Sequence, residues 1–294
     1  MKNKLDSGIL FMLGSALISA LNGALTKILS EDISALEIVF FRNFIGIFLI
    51  LYALKHTPPK LTDKRLHLLF MRGFFGFSAM ILFFYTITEI PLGEAITLNK
   101  TSPFFVTVLA FFLLNEHLSF RTAFALLIGF LGVICITKPF GMEFSYIHFL
   151  GLLGGFFAAA AYTTIKKIKD IFDSRIIVLS FVVVGTFMPA LLFLLAPYIN
   201  VSQKFNFLFP LFIVPQSIEI WLLIAFMAFI STLSQWLLTK AYSAKNLSIV
   251  GVISYTNIPF AIAFGYMLGD NFPDPLTLFG ILLIVAGGLF VSKK

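Results

Sequence analysis

Ten apolar stretches, each about as long as a lipid bilayer is thick, follow one another along nearly the whole chain. A helix that crosses a hydrocarbon core of about 30 Å needs about 20 mostly apolar residues. Short connections join most of these stretches, which leaves little sequence for a domain outside the membrane. The pattern predicts an all-α polytopic membrane protein with ten transmembrane helices, over 8–28, 34–54, 67–88, 91–114, 120–137, 147–168, 174–197, 217–240, 246–268 and 275–292.

The composition indicates a surface that faces lipid. Of the 294 residues, 59% are hydrophobic and only 12% are charged, whereas soluble domains have about 45–50% apolar and about 25% charged residues. This balance argues against a soluble enzyme, a nucleic-acid-binding protein and a disordered chain. The single cysteine, Cys135, excludes a disulfide framework and a cysteine-based metal site. The lipid bilayer is therefore the first expected partner.

The positions of the basic residues predict how the chain is threaded. If the N-terminus is cytoplasmic, 15 of the 21 Lys and Arg residues fall on the cytoplasmic side. Basic residues concentrate in cytoplasmic loops, so we expect both termini in the cytoplasm, and the net charge of +7 requires no nucleic-acid partner. The apolar stretch after Lys2 and Lys4 has spanning length, which predicts an uncleaved first span rather than a signal peptide.

Two parts of the sequence resemble each other. The segment PLGEAITLNKTSPFFVTVLAFFLLNEH and the segment LSIVGVISYTNIPFAIAFGYMLGDN align on Pro103 and Pro259. Each has a polar patch before a mid-span proline, then an apolar helix, an acidic turn and a glycine-bearing last helix. Five spans in each half make the second copy inverted, as in many secondary transporters. We expect one repeat over 1–140 and another over 141–294.

The sequence also resembles a known family of membrane proteins. Arg42 in FFRN, the block PLGEAITLNKTSPFFVTVLAFFLLNEHLS and the second-half counterpart ending in GGLFVSKK are similar to the EamA-type transporters of the drug/metabolite transporter superfamily. The resemblance covers nearly the whole chain. It implies two inverted five-helix halves, cytoplasmic termini, and export or uptake of a small-molecule substrate by alternating access. The location it implies is the cytoplasmic (inner) membrane of a bacterium.

Four ionisable side chains lie within the predicted spans. Arg42 and Lys100 share a depth of about 12–13 Å below the outer ends of their helices, and Glu37 and Glu94 lie nearer that end. One interpretation is that the two cations form salt bridges with the two glutamates. The other is that the cations make a positive well for a carboxylate or phosphate, with the glutamates as neighbours or proton acceptors. The second interpretation favours an anionic or zwitterionic metabolite.

Polar residues near the two mid-span prolines are further candidates. A proline removes one helical hydrogen bond, and the freed carbonyl needs a cavity or a neighbouring helix. Pro103 and Pro259 are therefore hinge candidates, or else kinks that serve packing. Asn22 and Tyr162 are expected to contribute lining. The candidate binding residues are Arg42, Lys100, Asn99, Tyr255, Asn257, Gln235 and Trp236.

Two further features allow structural readings. Arg72 lies about five residues from the inner end of its span, which favours an interfacial anchor or an inner gate residue. Ala16, Ala20 and Ala24 form a strip of small residues on the first helix. Such strips allow helices to slide, to pack statically or to form a homodimer.

Several kinds of chemistry lack a sequence signature. There is no G-x-x-x-x-G-K-[ST] phosphate loop, no HExxH motif and no nucleophile elbow, and the four histidines lack metal-ligand spacing. We therefore expect no catalytic residues, no metal and no cofactor, and transport driven by a gradient or facilitative. The alternatives are a lipid-linked carrier or flippase and, third, a polytopic membrane transferase.

Overall fold

A computed structural model of the chain describes residues 2–56, 65–114, 120–137, 145–199, 201–243 and 254–292. Within these ranges the regular structure is entirely helical. Three short 3-10 helices cover Ala196–Tyr198, Gln203–Leu208 and Ser254–Thr256. The α-helices are α1 (Lys2–Leu29), α2 (Ala35–His56), α3 (Leu66–Glu89), α4 (Leu92–Asn99), α5 (Ser102–Leu114), α6 (Phe120–Thr137), α7 (Tyr146–Ile168), α8 (Ser174–Leu195), α9 (Ile218–Ser243), α10 (Asn257–Met267) and α11 (Pro275–Ser292).

These helices account for the ten predicted spans. Helices α1, α2, α3, α7, α8 and α9 are each long and apolar enough to cross a membrane, and shorter apolar segments lie in α6 and α11. Helices α4 and α5 together make the fourth span. Helix α10 and the 3-10 turn before it make the described part of the ninth, whose first residues, 246–253, lie outside the described residues. The prediction of an all-α polytopic membrane protein with ten spans is confirmed.

The fourth span is broken where the sequence predicts it, and the described part of the ninth changes from a 3-10 turn to an α-helix at the matching place. Helix α4 ends at Asn99, Lys100 and Thr101 form a turn, and α5 begins at Ser102. Pro103 is thus the second residue of α5, where its missing N–H costs little. In the ninth span, Pro259 is the third residue of α10 and follows the 3-10 turn. Each proline therefore starts a new half-helix instead of kinking a continuous one.

The helices pack in a pattern that repeats after five spans. Helix α1 packs on α9 and α10, and correspondingly α7, five spans later, packs on α3 and α4. Helix α2 packs on α9 as α8 packs on α3. Helix α7 also packs on α5, the second part of the fourth span. Three further extensive contacts, α2 with α8, α4 with α10 and α6 with α11, join spans of the same rank in the two halves of the sequence. Two five-span halves of similar build would produce this pairing.

The contact between α6 and α11 depends on two facing glycines. A Cβ atom on Gly132 would lie 2.6 Å from the carbonyl oxygen of Gly280, and one on Gly280 would lie 2.7 Å from the carbonyl oxygen of Gly132. Real Cβ atoms do not approach an oxygen so closely. Glycine is therefore required on both helices for the backbones to meet, as at other small-residue crossings in membranes.

Polar contacts close the end of the bundle at which α1 finishes, which we call the outer end after the predicted orientation. Asp270, just after α10, forms a salt bridge with Lys27 of α1. Its other carboxylate oxygen accepts a hydrogen bond from the backbone N–H of Leu92, at 2.9 Å. Asp270 therefore ties α1, α4 and α10 together, and it also satisfies an N–H at the start of α4 that has no partner within its own helix.

The connection between α8 and α9 lies over the same end. The ring of Phe207 stacks on Tyr85 of α3, with centroids 4.1 Å apart and planes 5° from parallel. The backbone N–H of Ile213 donates to a carboxylate oxygen of Glu37 at the start of α2. At the opposite, inner end, Arg175 donates to Asp173 and to the carbonyl oxygen of Ala53 at 3.2 Å. Each of these contacts joins residues that alternating spans place on the same side of the membrane.

Candidate functional site

A polar cavity lies between the helices in the middle of the bundle. Its empty space is about 840 Å³, including the part open to solvent. Helices α1, α2, α3, α4, α7, α8, α9 and α10 all contribute lining residues. Of the residues that the structure describes, Arg42, Lys100 and Arg72 are the charged ones that line it, and no Asp or Glu is among them.

Arg42 projects from α2 into this cavity and is surrounded by soft, apolar groups. Its side chain is 5% exposed and contacts the sulfur of Met80. Its guanidinium carbon lies 5.4 Å from the ring centroid of Phe84 and 5.8 Å from that of Phe181. Within the described ranges its Nε has no hydrogen-bond partner and the side chain forms no salt bridge. The charge is held by cation–π contacts rather than by a carboxylate.

Arg72 lies on α3 and is buried even more deeply. Its side chain is 2% exposed, and its guanidinium carbon lies 4.8 Å from the ring centroid of Phe181. Its Nε is also without a hydrogen-bond partner in the part of the chain that the structure covers. The interpretation of Arg72 as an interfacial anchor is wrong, because an anchor extends to the membrane surface, whereas this guanidinium points between helices α3 and α8.

Lys100 stands at the break in the fourth span. It is the C-cap residue that follows α4, and its side chain is half-buried and lines the cavity. It makes no salt bridge with any residue in the described ranges. Helix α7 packs tightly here, because a Cβ on Gly155 would lie 2.7 Å from Oγ1 of Thr101 and 3.1 Å from the carbonyl oxygen of Leu98. Glycine at position 155 therefore lets α7 support the broken turn.

Neutral polar groups line other parts of the cavity, along α1, α9 and α10. Ser15 and Ser234 exchange hydrogen bonds at 3.0 and 3.2 Å, which fasten α1 to α9. Ser231 donates to the side-chain oxygen of Asn22 at 2.6 Å. The Nδ2 of Asn257 donates to the carbonyl oxygen of Ala16 at 2.9 Å. Five predicted lining residues do lie at the cavity alongside the cations: Asn22, Asn99, Tyr162, Gln235 and Asn257.

Two predicted binding residues do not line the cavity. Trp236 follows Gln235 on α9, and successive helical residues point about 100° apart, so only Gln235 faces inward. The ring of Trp236 instead contacts Lys240, whose Nζ lies 3.8 Å from the ring centroid. Tyr255 is 3% exposed and packs in the apolar core. Its hydroxyl has no hydrogen-bond partner among the described residues.

The two glutamates, Glu37 and Glu94, lie outside the cavity lining. Glu37 and Ser34 form a capping box: the carboxylate accepts from the N–H of Ser34 at 2.8 Å, and the Ser34 hydroxyl accepts from the N–H of Glu37 at 3.3 Å. Glu94 lies half-buried in the first turn of α4, outside the cavity lining. In the described part of the chain Glu37 forms no salt bridge with Arg42 or Lys100. Glu37 is therefore engaged at the start of α2 and not with Arg42, whereas a salt bridge of Glu94 and a role of either glutamate in proton coupling stay predictions.

The described residues contain no group of three or more His, Cys, Asp or Glu side chains that could hold a metal ion. What the site offers is a set of buried cations with polar amides and hydroxyls. Buried cations attract a carboxylate or a phosphate, which Arg can bind with two parallel hydrogen bonds.

A bundle of apolar helices around a central polar cavity defines an integral, multi-pass membrane protein of the transporter class. The chain belongs to the EamA-like transporter family, whose model matches residues 6–138. It is 31% identical to the pseudopaline exporter CntI of Pseudomonas aeruginosa over 98% of this chain and 97% of that protein. Membership makes it a small-molecule transporter of the drug/metabolite type rather than an enzyme.

Other relatives extend over similar lengths. An uncharacterized transporter of Helicobacter pylori is 30% identical, over 99% of this chain and 96% of that one. The S-adenosylmethionine uptake transporter of Rickettsia prowazekii is 25% identical, over 97% and 92%. A solved structure titled "Crystal structure of protein" matches with a TM-score of 0.66 at 16% identity, covering 97% of this chain and 96% of that chain. That match shows a shared fold.

Proposed function

We propose that the protein carries a small organic, anionic or zwitterionic metabolite through the central cavity by alternating access. Transport is driven by a gradient or is facilitative, since the sequence contains no phosphate loop. The observation that carries the proposal is the set of three cations around one cavity, Arg42, Arg72 and Lys100, to which the described residues supply no carboxylate. An ionisable group within a membrane is costly and usually serves function.

The binding site in this proposal comprises Arg42, Arg72, Lys100, Asn99, Gln235 and Asn257. The cations hold the anionic group of the substrate, and the amides bind its neutral polar groups. Pro103 and Pro259 act as hinges, because each lies in the first turn of a helix and within three residues of a cavity-lining side chain, Lys100 or Asn257. Discontinuous helices near the midplane are a recurrent feature of substrate sites in secondary transporters.

Two inverted repeats, 1–140 and 141–294, with both termini in the cytoplasm, would provide the two access states. The helix pairing that repeats after five spans supports this division. The contacts of Asp270 with Lys27 and Leu92 support an outer end that is closed in this conformation. Opening of that end then requires these contacts to break, which rocking of one repeat against the other would achieve.

The relatives support a small-molecule substrate but do not fix the direction of transport. One is named for export of pseudopaline and another for uptake of S-adenosylmethionine. We therefore treat both compounds, and both directions, as starting points for the assay.

The test is transport in both directions by the purified protein in proteoliposomes, with a panel of labelled amino acids, organic acids, nucleosides, nucleotide sugars, S-adenosylmethionine and pseudopaline. The proposal predicts accumulation or counterflow of compounds with a carboxylate or phosphate, and competition by unlabelled anions. Exclusive transport of compounds without an anionic group would contradict it.

A further inference from the structure

The three cavity cations indicate the number of charged groups on the substrate as well as the sign of their charge. We infer that the transported molecule carries at least two negatively charged groups, one bound by Arg42 and one by Arg72, with Lys100 completing the positive surface. The inference rests on the proposed function and narrows its substrate class from anions and zwitterions to compounds such as dicarboxylates, tricarboxylates and phosphorylated acids.

The first step of the argument is the number of permanent charges. A guanidinium stays protonated in proteins, so Arg42 and Arg72 contribute two charges that proton loss cannot remove. Each is at most 5% exposed, and neither has an acidic partner in the described ranges. Removing one partner of a buried ion pair is strongly destabilising because a charge is left uncompensated. A substrate with a single carboxylate would leave one of the two guanidiniums without a compensating negative charge.

The second step is the position of the two guanidiniums. They share one aromatic neighbour, since the guanidinium carbons of Arg42 and Arg72 lie 5.8 and 4.8 Å from the ring centroid of Phe181. The distance between the two guanidinium carbons therefore cannot exceed the sum of these two distances. A short organic acid with a charged group at each end can bridge such a gap. In each arginine the buried Nε lacks a hydrogen-bond partner within the described residues, so the protein leaves part of each guanidinium's donor capacity unsatisfied.

The third step concerns the rest of the lining. Beyond the cations it presents hydroxyls, amides and apolar groups, including Ser19, Asn22 and Gln235. An ammonium group on the substrate would meet three like charges and, among the described lining residues, no carboxylate. The cavity therefore favours a neutral, polar body over a zwitterion.

Binding of matched probes to the purified protein tests the inference without knowledge of the natural substrate. The probes are the α,ω-dicarboxylates from malonate to suberate, together with the monoamide and the diamide of each. Affinity is measured from the rise of the thermal unfolding midpoint with probe concentration at constant ionic strength. The variants are Arg42→Gln and Arg72→Gln, with Arg175→Gln as the control, because Arg175 pairs with Asp173 outside the cavity.

We expect at least one dicarboxylate to bind wild type ten times or more tightly than its monoamide, and the diamide to bind more weakly still. In Arg42→Gln or Arg72→Gln the dicarboxylate and its monoamide should bind with similar affinity, whereas Arg175→Gln should behave as wild type. A merely structural role of either arginine would lower the unfolding midpoint without removing this difference.

Equal affinity of dicarboxylates and monoamides for wild type would overturn the inference. If that affinity were still lost in Arg42→Gln, a single-anion site would remain and the proposed function would stand. If no dicarboxylate raised the midpoint, the inference would also be wrong, and the transport panel would decide the proposed function separately.

Discussion

The guanidinium groups of Arg42 on α2 and Arg72 on α3 share the ring of Phe181, a residue of α8, as their common neighbour. Helices α2 and α3 belong to the first half of the sequence and α8 to the second. The pair of cations is therefore positioned by a contact between the halves. Movement of one half against the other would change the distance from each guanidinium to the ring, and so link substrate binding to the conformational change.

Replacement of the shared ring should weaken binding without loss of the fold. Phe181→Leu keeps most of the apolar volume but removes the π surface from both arginines. Each cation–π contact contributes about 1 kcal/mol, so we expect the KM for transport to rise by roughly fivefold or more. The matched control is Phe172→Leu, since Phe172 is equally buried but packs in a separate inner cluster. Equal effects of both variants on KM would contradict the role of Phe181.

Loss of the Asp270 contacts should favour opening of the outer end. Asp270→Ala removes the salt bridge with Lys27 and the hydrogen bond from the Leu92 N–H. In the proposed mechanism these contacts hold the outer end closed, so their loss should make the open state more populated. The reporter is Ser19→Cys, at a residue that lines the cavity, in a background with Cys135→Ser. We expect an impermeant thiol reagent added from the outside to label it faster when Asp270 is replaced.

Asp32→Asn is the control for that experiment, because Asp32 is exposed in the connection between α1 and α2 on the same side. Its labelling rate should equal that of the parent. Unchanged labelling in Asp270→Ala would mean that Asp270 does not hold the outer end closed.

Two adjacent glycines on α7 allow a sharp comparison. A Cβ on Gly155 would lie 2.7 Å from Thr101 Oγ1 at the broken turn, whereas one on Gly154 would lie 3.4 Å from its nearest neighbour, an ordinary contact. Gly155→Ala should lower the unfolding midpoint by several degrees and impair transport, since overpacking typically costs about 1–3 kcal/mol. Gly154→Ala should be near neutral. Similar midpoints for the two variants would show that the broken turn tolerates displacement.

Glu37 should matter for stability more than for coupling. Glu37→Gln removes a negative charge from the first turn of α2 and weakens the capping box with Ser34, at a cost of about 1 kcal/mol. We expect a lower unfolding midpoint and an unaltered pH profile of transport. Glu219→Gln, at an exposed first-turn position of α9, serves as control and should leave both unchanged. A displaced pH profile in Glu37→Gln alone would instead assign Glu37 to proton coupling.

The sequence predicts much of the fold because the membrane restricts it so strongly. Apolar segments of spanning length must become helices, since lipid offers no hydrogen bonds to the backbone. The breaks near Pro103 and Pro259 are equally local in origin, because they follow from a residue without an N–H. Arg42, Lys100 and Gln235 were predictable as cavity residues because a polar group within a span needs a protein environment.

The misassigned residues depend on rotation about a helix and on tertiary contacts. Trp236 and Gln235 are adjacent, and the sequence alone does not show which of them faces the cavity. The environment of the Arg72 side chain depends on the packing of α8, which places Phe181 against the guanidinium. Glu37 is different, because Ser34-Ala-Leu-Glu37 fits the S-x-x-E capping box. That local signal predicts a helix cap before it predicts an ion pair.

The central claim, that buried cations bind an anionic group of the substrate, is tested most directly by transport in proteoliposomes with Arg42→Gln, Arg72→Gln and Lys100→Gln beside wild type and Arg175→Gln. For a compound that wild type transports, each of the three cavity variants should lose at least 90% of the initial rate or raise KM at least tenfold, while Arg175→Gln retains both values. Full transport with unchanged KM in the three cavity variants would contradict the claim.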